Sequence, residues 1–88
     1  MSSQEIYELL KDNTLSYNNI SMSSLTNIMT FVHVDLKIDA KSLDYYYAIN
    51  VDELSNSEIP KEEVEVLKSQ GWSFSDDRKY LLLFLKNN

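Results

Sequence analysis

The sequence predicts a small α+β domain, an antiparallel sheet of about four strands with two helices on one face, in the order α-β-β-α-β-β. Three observations support this fold class. Residues 59–72 contain the start and stop signals of a helix that ends at a glycine. Residues 28–51 alternate between apolar and polar side chains, and residues 80–85 form an apolar run of strand length. An alternative is a mostly helical N-terminal two-thirds followed by a C-terminal β-hairpin.

The N-terminal residues predict a short amphipathic helix over residues 3–12. Ser2 and Glu5 have the spacing of a capping box, and Ile6, Leu9 and Leu10 follow at helical spacing. Residues 13–24 are rich in Asn, Ser and Thr, whose side chains compete for backbone hydrogen bonds, so we expect a loop there. A brief extended piece around residues 17–22 is compatible with the same composition.

Residues 28–38 fit two periodicities. Apolar and β-branched side chains alternate at Ile28, Thr30, Val32, Val34, Leu36 and Ile38. A helical stripe is formed by Leu25, Ile28, Met29, Val32 and Leu36. Either Ser23 or Ser24 would cap such a helix. We favour a strand, because β-branched and aromatic side chains suit a pleated surface and lose rotamer freedom in a helix.

A turn at residues 39–42 and a second strand over residues 43–51 follow. One face of this strand would carry Leu43, Tyr45, Tyr47, Ile49 and Val51, and the other Asp44, Tyr46, Ala48, Asn50 and Asp52. A helical alternative runs through Leu43, Tyr47, Val51 and Leu54. Residues 54–58 are predicted to be a polar linker into the next helix.

Local rules agree most strongly between residues 59 and 72. Pro60 suits a first helical turn, and Glu62 and Glu63 lie where the positive end of the helix dipole favours carboxylates. Gly71 can adopt the left-handed conformation that ends a helix, and Trp72 follows where an apolar residue folds back on the last turn. The sequence therefore predicts a helix that ends at Gly71 and a buried Trp72.

A β-hairpin is predicted to follow this helix. Its strands are residues 72–74 and 80–85, joined by the polar loop 75–79, in which Asp76 and Asp77 are expected to hydrogen-bond turn backbone. Because residues 80–85 are apolar on both faces, we expect this strand to be central in the sheet or covered on both sides.

Length and composition indicate one domain, residues 1–88. With 43% apolar residues the chain can form a core, and with no cysteine it has no disulfide framework. The first residues lack the basic and apolar regions of a signal peptide, and no apolar run is long enough to span a bilayer. We therefore expect a cytoplasmic protein that does not enter the membrane.

The negative charge is unevenly distributed. The net charge is −6, and between residues 42 and 65 seven acids stand against the single base Lys61, while the remaining residues carry seven acids and seven bases. One segment thus holds the whole imbalance. Such an acidic composition disfavours direct nucleic-acid binding, which depends on Lys and Arg contacts to phosphates.

Candidates for catalysis and for cofactor or metal binding are few. The only histidine is His33, and Asp35 lies two residues away, so their side chains would run in parallel rather than converge on a serine. Cysteine ligands are absent, and the single glycine excludes a glycine-rich phosphate loop. We predict no enzymatic activity, no cofactor and no metal site. A small carboxylate-dependent enzyme would need a pocket around His33 and Asp35.

The aromatic and acidic residues of the middle segment predict a non-enzymatic interaction module. A single-signed surface attracts a basic partner, and tyrosine supplies rigid contact area. The partner-binding candidates are Tyr46, Asp52, Glu53, Glu58, Glu62, Glu63 and Glu65. The expected partner is a basic surface of a larger protein, and the composition suits a virus-encoded nucleic-acid mimic that inhibits a host enzyme. The alternative is an assembly protein that forms a homo-oligomer through its apolar C-terminal strand or a sheet edge.

Overall fold

The computed structural model describes residues 1–15, 17, 18, 20 and 22–85 and confirms an α+β fold. The helices are α1 (Ser3–Leu10), α2 (Thr26–Met29), α3 (Val51–Asn56) and α4 (Lys61–Gln70), and a 3₁₀ turn at Met22–Leu25 precedes α2. The strands are β1 (Tyr17–Asn18), β2 (Asp35–Ile38), β3 (Tyr45–Asn50), β4 (Ser73–Phe74) and β5 (Tyr80–Leu85).

Four strands form the predicted antiparallel sheet. Strand β3 pairs with β2 on one side and with β5 on the other, and β4 pairs with β5. The short β1 adds a parallel pairing to the opposite end of β5, on the edge that β4 also uses. Strand β5 therefore has neighbours on both sides, which confirms its predicted central position.

Helices α1, α3 and α4 pack together over the sheet face that carries Tyr47, Ile49, Leu81 and Leu83. Tyr47 pairs with Leu83 and Ile49 with Leu81, so these four side chains share one face. The buried helical side chains of the same core cluster are Ile6 and Leu10 of α1, Val51 and Leu54 of α3, and Val64 and Leu67 of α4. The predicted helical layer is confirmed and contains one helix more than the sequence suggested.

The predicted capping box of α1 is present. Ser2 Oγ accepts from the backbone N–H of Glu5, and the Glu5 carboxylate accepts from the backbone N–H of Ser2, both at 3.2 Å. These hydrogen bonds lower the pKa of Glu5. The helix ends at Leu10, two residues before the predicted boundary.

Helix α4 ends as predicted. Gly71 has a φ of 93°, and the backbone N–H of Trp72 reaches back to the carbonyl of Leu67 at 3.2 Å. Trp72 is fully buried, and its indole Nε1 donates to Gln70 Oε1 at 2.9 Å. Pro60 is the N-cap residue rather than the first helical residue, so the helix begins at Lys61.

A side chain from another part of the chain completes the end of α4. Asn13 Nδ2 donates to the carbonyl oxygens of Lys68 at 3.0 Å and of Trp72 at 2.8 Å. The carbonyl of Lys68 also accepts from the backbone N–H of Gly71 at 3.1 Å, so Asn13 adds a second donor to it and also bonds the carbonyl of Trp72 just beyond the helix. The loop after α1 is thereby joined to the start of the β4–β5 hairpin.

Replacing Asn13 by alanine should lower the free energy of unfolding by about 1–2 kcal/mol, because two carbonyls lose a donor. The measurement is urea unfolding followed by the fluorescence of Trp72. The neighbouring exposed Asp12→Ala variant is the control and should change stability by no more than about 0.5 kcal/mol. Equal stabilities of the two variants would contradict the capping role of Asn13.

The predicted strand over residues 28–38 is wrong in its first half. Residues 26–29 form α2, whose end is marked by Thr30 Oγ1 donating to the carbonyl of Asn27 at 2.7 Å, and only Asp35–Ile38 are extended as β2. Leu25 and Ile28 are both buried at helical spacing. The helical periodicity describes the first half of this segment and the alternating periodicity describes the second. Burial of Leu25 and Ile28 explains why the chain is helical before it becomes extended.

The predicted linker over residues 54–58 is wrong in its first three residues, which belong to α3. Helix α3 starts directly after β3, with Asn50 as N-cap accepting from the backbone N–H of Glu53 at 3.0 Å. Val51 and Leu54 are buried one turn apart, which explains the helical conformation. The Asn50 to Glu53 spacing is itself a helix-start signal, so this helix could have been recognised from the sequence.

Both predicted turns form, and of the two aspartates expected to bond turn backbone in the hairpin loop, Asp77 does so. Asp39 Oδ1 accepts from the backbone N–H groups of Ser42 and Lys41, which lowers the pKa of Asp39. Asp77 Oδ1 accepts from Ser75 Oγ at 2.7 Å and from the backbone N–H of Lys79, and these bonds lower the pKa of Asp77.

Within residues 1–15 and 22–85, no helix has the length and apolar character needed to cross a membrane.

Candidate interaction surface

The acids of α3 point in different directions. Val51 and Leu54 define its buried face, and the consecutive exposed residues Asp52 and Glu53 project about 100° apart around the axis. Glu53 Oε1 accepts from the backbone N–H of His33 at 2.9 Å. Asp52 instead lines a groove with Tyr7 of α1 and Arg78 of the hairpin loop. The structure therefore separates these two predicted site residues.

Four predicted site residues lie together at α4, and we call them the acidic segment: Glu58, Glu62, Glu63 and Glu65. Val64 and Leu67 turn the opposite side of this helix into the core, which leaves Glu62 pointing outward. Glu58, Glu62 and Glu65 are exposed, and Glu63 is half-buried. Helix burial thus presents this part of the predicted surface to solvent.

The acidic segment is not neutralised by ion pairs. Over the part of the chain that the structure describes, ion pairs join Lys11 to Glu8 at 3.0 Å and His33 to Asp35 at 2.7 Å, and none includes the acidic segment. Lys61 and Lys68 share the helix with it, so Glu65, four residues after Lys61 and three before Lys68, lies in a mixed environment. Glu58, Glu62 and Glu63 likewise form no ion pair among the described residues.

Tyr46 is not beside these acids. It lies on the face of the sheet opposite the helices, because its neighbours Tyr47 and Tyr45 point to the helix-covered face. There its ring stacks on Phe84, with ring centroids 4.9 Å apart and planes inclined by 20°. The structure does not bring this residue together with the acidic segment.

This second face of the sheet forms a shallow groove. Its floor is Ala48 and Leu82, and its walls include Tyr46, Tyr80 and the loop residues Asp76 and Asp77. Lys37 Nζ lies 5.6 Å from the centroid of the Tyr80 ring, at cation–π distance. The groove mixes both charges and carries no single-signed potential.

The residues considered for catalysis are in open solvent. His33 Nε2 is 2.7 Å from Asp35 Oδ1, and their side chains are 71% and 46% exposed. A general base or nucleophile needs a site that can exclude water and hold a substrate, and this pair sits on the surface before an edge strand. Across residues 1–15 and 22–85, no group of three or more His, Asp or Glu side chains is arranged to hold a metal ion.

One feature of the surface escaped the sequence prediction. The alternating pattern of residues 28–38 does not mark Leu36 and Ile38 as exposed, yet both are half-exposed, as is Tyr45 beside them. Edge position is the reason, because β2 has a neighbour on one side only among the described strands. No signal in the local sequence marks β2 as the edge.

The chain matches no protein-family model, no curated protein and no solved structure at a significant level. Function is therefore inferred from the chemistry of the surface.

Proposed function

We propose that the chain is a non-enzymatic interaction module that docks through its acidic segment on a basic surface of a larger protein. The observation that supports this most is that Glu58 and Glu62 are exposed and Glu63 is half-buried, and that none of the three forms an ion pair in the described residues. The proposed setting is the cytoplasm. The proposed partner class is a host enzyme that handles nucleic acid, and the carboxylates would imitate in charge the phosphates that its basic surface binds.

Electrostatic steering is the physical basis of this proposal. Uncompensated carboxylates on one helix attract a basic patch over roughly a Debye length, about 8–10 Å at physiological salt. Such attraction raises the association rate more than the final affinity. Helix α4 offers the partner a rigid surface, because Val64 and Leu67 anchor it in the core.

The first two acids of α4 also have a local structural role. Glu62 and Glu63 lie in the first turn, where carboxylates interact favourably with the helix dipole by roughly 0.3–1 kcal/mol each. That role explains their presence at the N-terminus without a partner. It does not account for Glu58, which precedes the helix, and a binding measurement therefore has to separate the two roles.

Reversing both charges, in a Glu62→Lys/Glu63→Lys variant, should reduce the association rate with the partner by about tenfold or more at low ionic strength. Binding of the unmodified chain should weaken as salt increases. The partner is first captured from a lysate of the organism that encodes the chain, or of its host, and eluted with a salt gradient. Association kinetics are then measured by surface plasmon resonance.

The matched control is Asp12→Lys/Asp76→Lys, which changes the net charge equally at two exposed positions outside the acidic segment. It should retain most of the association rate, because the local potential at α4 is unchanged. Thermal melts of both variants separate a loss of binding from a loss of folding. Equal rates for the two double variants, or binding that ignores salt, would refute the proposal.

A further inference from the structure

The outer edge of β2 is an unoccupied pairing surface in the described part of the chain. Strand β2 is last in the sheet order β1-β5-β3-β2, and no described segment pairs with its outer side. Leu36, Ile38 and the adjacent Tyr45 are 53%, 50% and 50% exposed on one face. An edge strand presents unpaired backbone N–H and C=O groups to which another chain can add, and the charged Asp35 and Lys37 of β2 lie on the opposite face from these apolar side chains.

The hydrogen-bonding phase of β2 shows which groups face outward. Asp39 donates its backbone N–H to the carbonyl of Asp44 at 2.8 Å, in the register that pairs Ile38 with Tyr45. Hydrogen-bonded and non-hydrogen-bonded pairs alternate along an antiparallel ladder. Asp35 and Lys37 therefore direct their backbone groups toward β3. The N–H and C=O groups of Leu36 and Ile38 point away from the sheet.

The residues along this edge are complementary to themselves. In an antiparallel pairing centred on Leu36, that residue faces its own copy, Val34 faces Ile38, and Asp35 faces Lys37. Residues directly opposite in such a ladder share a face and lie within about 4.5–5.5 Å at Cβ. The pairing therefore creates two Asp–Lys contacts on one face of the sheet and an apolar row on the other.

We propose that the chain forms a symmetric homodimer through β2, in the register centred on Leu36. The outward backbone groups of Leu36 form the central hydrogen bonds, and the sheets of the two copies join into one. Lys37 moves from the Tyr80 ring toward Asp35 of the second copy, a short swing for a flexible side chain. This inference is independent of the proposed docking function.

Charge excludes the neighbouring symmetric register. Centring the pairing on Lys37 would place Lys37 opposite its own copy and Asp35 opposite Asp39, three repulsive pairs on the edge. Side-chain charge therefore selects the register centred on Leu36, which the outward backbone groups of Leu36 and Ile38 permit.

Two charge variants of the full chain test the register. Asp35→Lys places Lys opposite Lys, and Lys37→Asp places Asp opposite Asp, so each variant alone should dimerise about tenfold or more weakly than the unmodified chain. An equimolar mixture of the two variants should recover the dimer, because every contact between unlike copies is then attractive. Sedimentation equilibrium over a range of concentrations measures all three samples.

The control is Lys41→Asp, which makes the same charge change as Lys37→Asp but in the 39–42 turn, outside the pairing edge. It should dimerise like the unmodified chain. A monomeric unmodified chain at millimolar concentration would overturn the proposal, and so would dimers that survive both single changes. Failure of the mixture to dimerise, with both variants folded by circular dichroism, would overturn the register and with it the proposal.

A measurement on the unmodified chain avoids any doubt about folding. Amide hydrogen exchange, recorded by NMR at low and high protein concentration, should show slower exchange of Leu36 and Ile38 at high concentration. The amides of Asp35 and Lys37 face β3 and should change less. Concentration-independent exchange at Leu36 and Ile38 would overturn the proposal.

Discussion

Replacing Trp72 by alanine is expected to lower the free energy of unfolding by about 3–5 kcal/mol, the usual cost of truncating a large buried aromatic side chain. Trp72 is fully buried in the core cluster between α4 and β4. Truncation removes its apolar contacts, leaves a cavity, and deprives Gln70 Oε1 of the indole donor. For a domain of this size the loss corresponds to roughly 12–40 °C in melting temperature.

The measurement is urea and thermal unfolding followed by circular dichroism, because Trp72 is the chain's only tryptophan and its fluorescence disappears with the substitution. Val66→Ala on the exposed side of α4 is the control and should cost less than about 1 kcal/mol. A Trp72→Phe variant retains much of the side-chain bulk, so its loss of unfolding free energy should lie between those of Val66→Ala and Trp72→Ala. An unchanged melting temperature in Trp72→Ala would contradict the packing described for this residue.

Replacing Leu54 by alanine should cost about 2–5 kcal/mol. Leu54 is fully buried and anchors α3, the six-residue helix that contacts α1. A helix this short is not stable by itself, so its position depends on the packing of Val51 and Leu54. Losing one of two anchors should therefore destabilise both α3 and the layer that α1, α3 and α4 form.

Trp72 fluorescence during urea unfolding measures this effect. The control is Asn56→Ala, an exposed position of the same helix, which should change stability by about 0.5 kcal/mol or less. If Leu54→Ala and Asn56→Ala had the same stability, residues 51–56 would not contribute to the core.

Total stabilities of small domains are commonly about 5–15 kcal/mol, so Trp72→Ala and Leu54→Ala each remove a substantial share of the free energy of unfolding.

The elements that the sequence predicted well depend on contacts within a few residues. The capping box at Ser2 and Glu5, the glycine stop at Gly71, the turn at residues 39–42 and the backbone hydrogen bond to Asp77 in the hairpin loop all form as expected. Each uses groups no more than four residues apart along the chain. Their local hydrogen bonds and allowed φ values can be recognised before any tertiary contact is known.

The errors lie where two local preferences compete. Residues 28–38 fit a helix and a strand, and the structure divides them between α2 and β2 according to which side chains reach the core. Residues 51–56 looked like the end of a strand and a linker, although the Asn50 cap and buried Val51 and Leu54 make them a helix. Periodicity over so few residues cannot distinguish these outcomes.

The same limit applies to the candidate surface. Sequence showed that the acids are concentrated in one segment, and the structure keeps Glu58, Glu62, Glu63 and Glu65 together at α4. It also places Tyr46 across the sheet and turns Asp52 and Glu53 in different directions. Separation along the chain does not indicate which face of a sheet or which side of a helix a residue occupies.

By itself, the sequence determined the α+β class, the start of α1, the end of α4, the C-terminal hairpin and the excess of negative charge. Only the tertiary structure decided the division between α2 and β2, the position of β2 at the edge and the Asn13 contacts with the end of α4. Local rules act through hydrogen bonds and side chains a few residues apart. Edge position and long-range capping depend on how the helices and strands pack their apolar surfaces against one another. That packing involves residues from the whole chain.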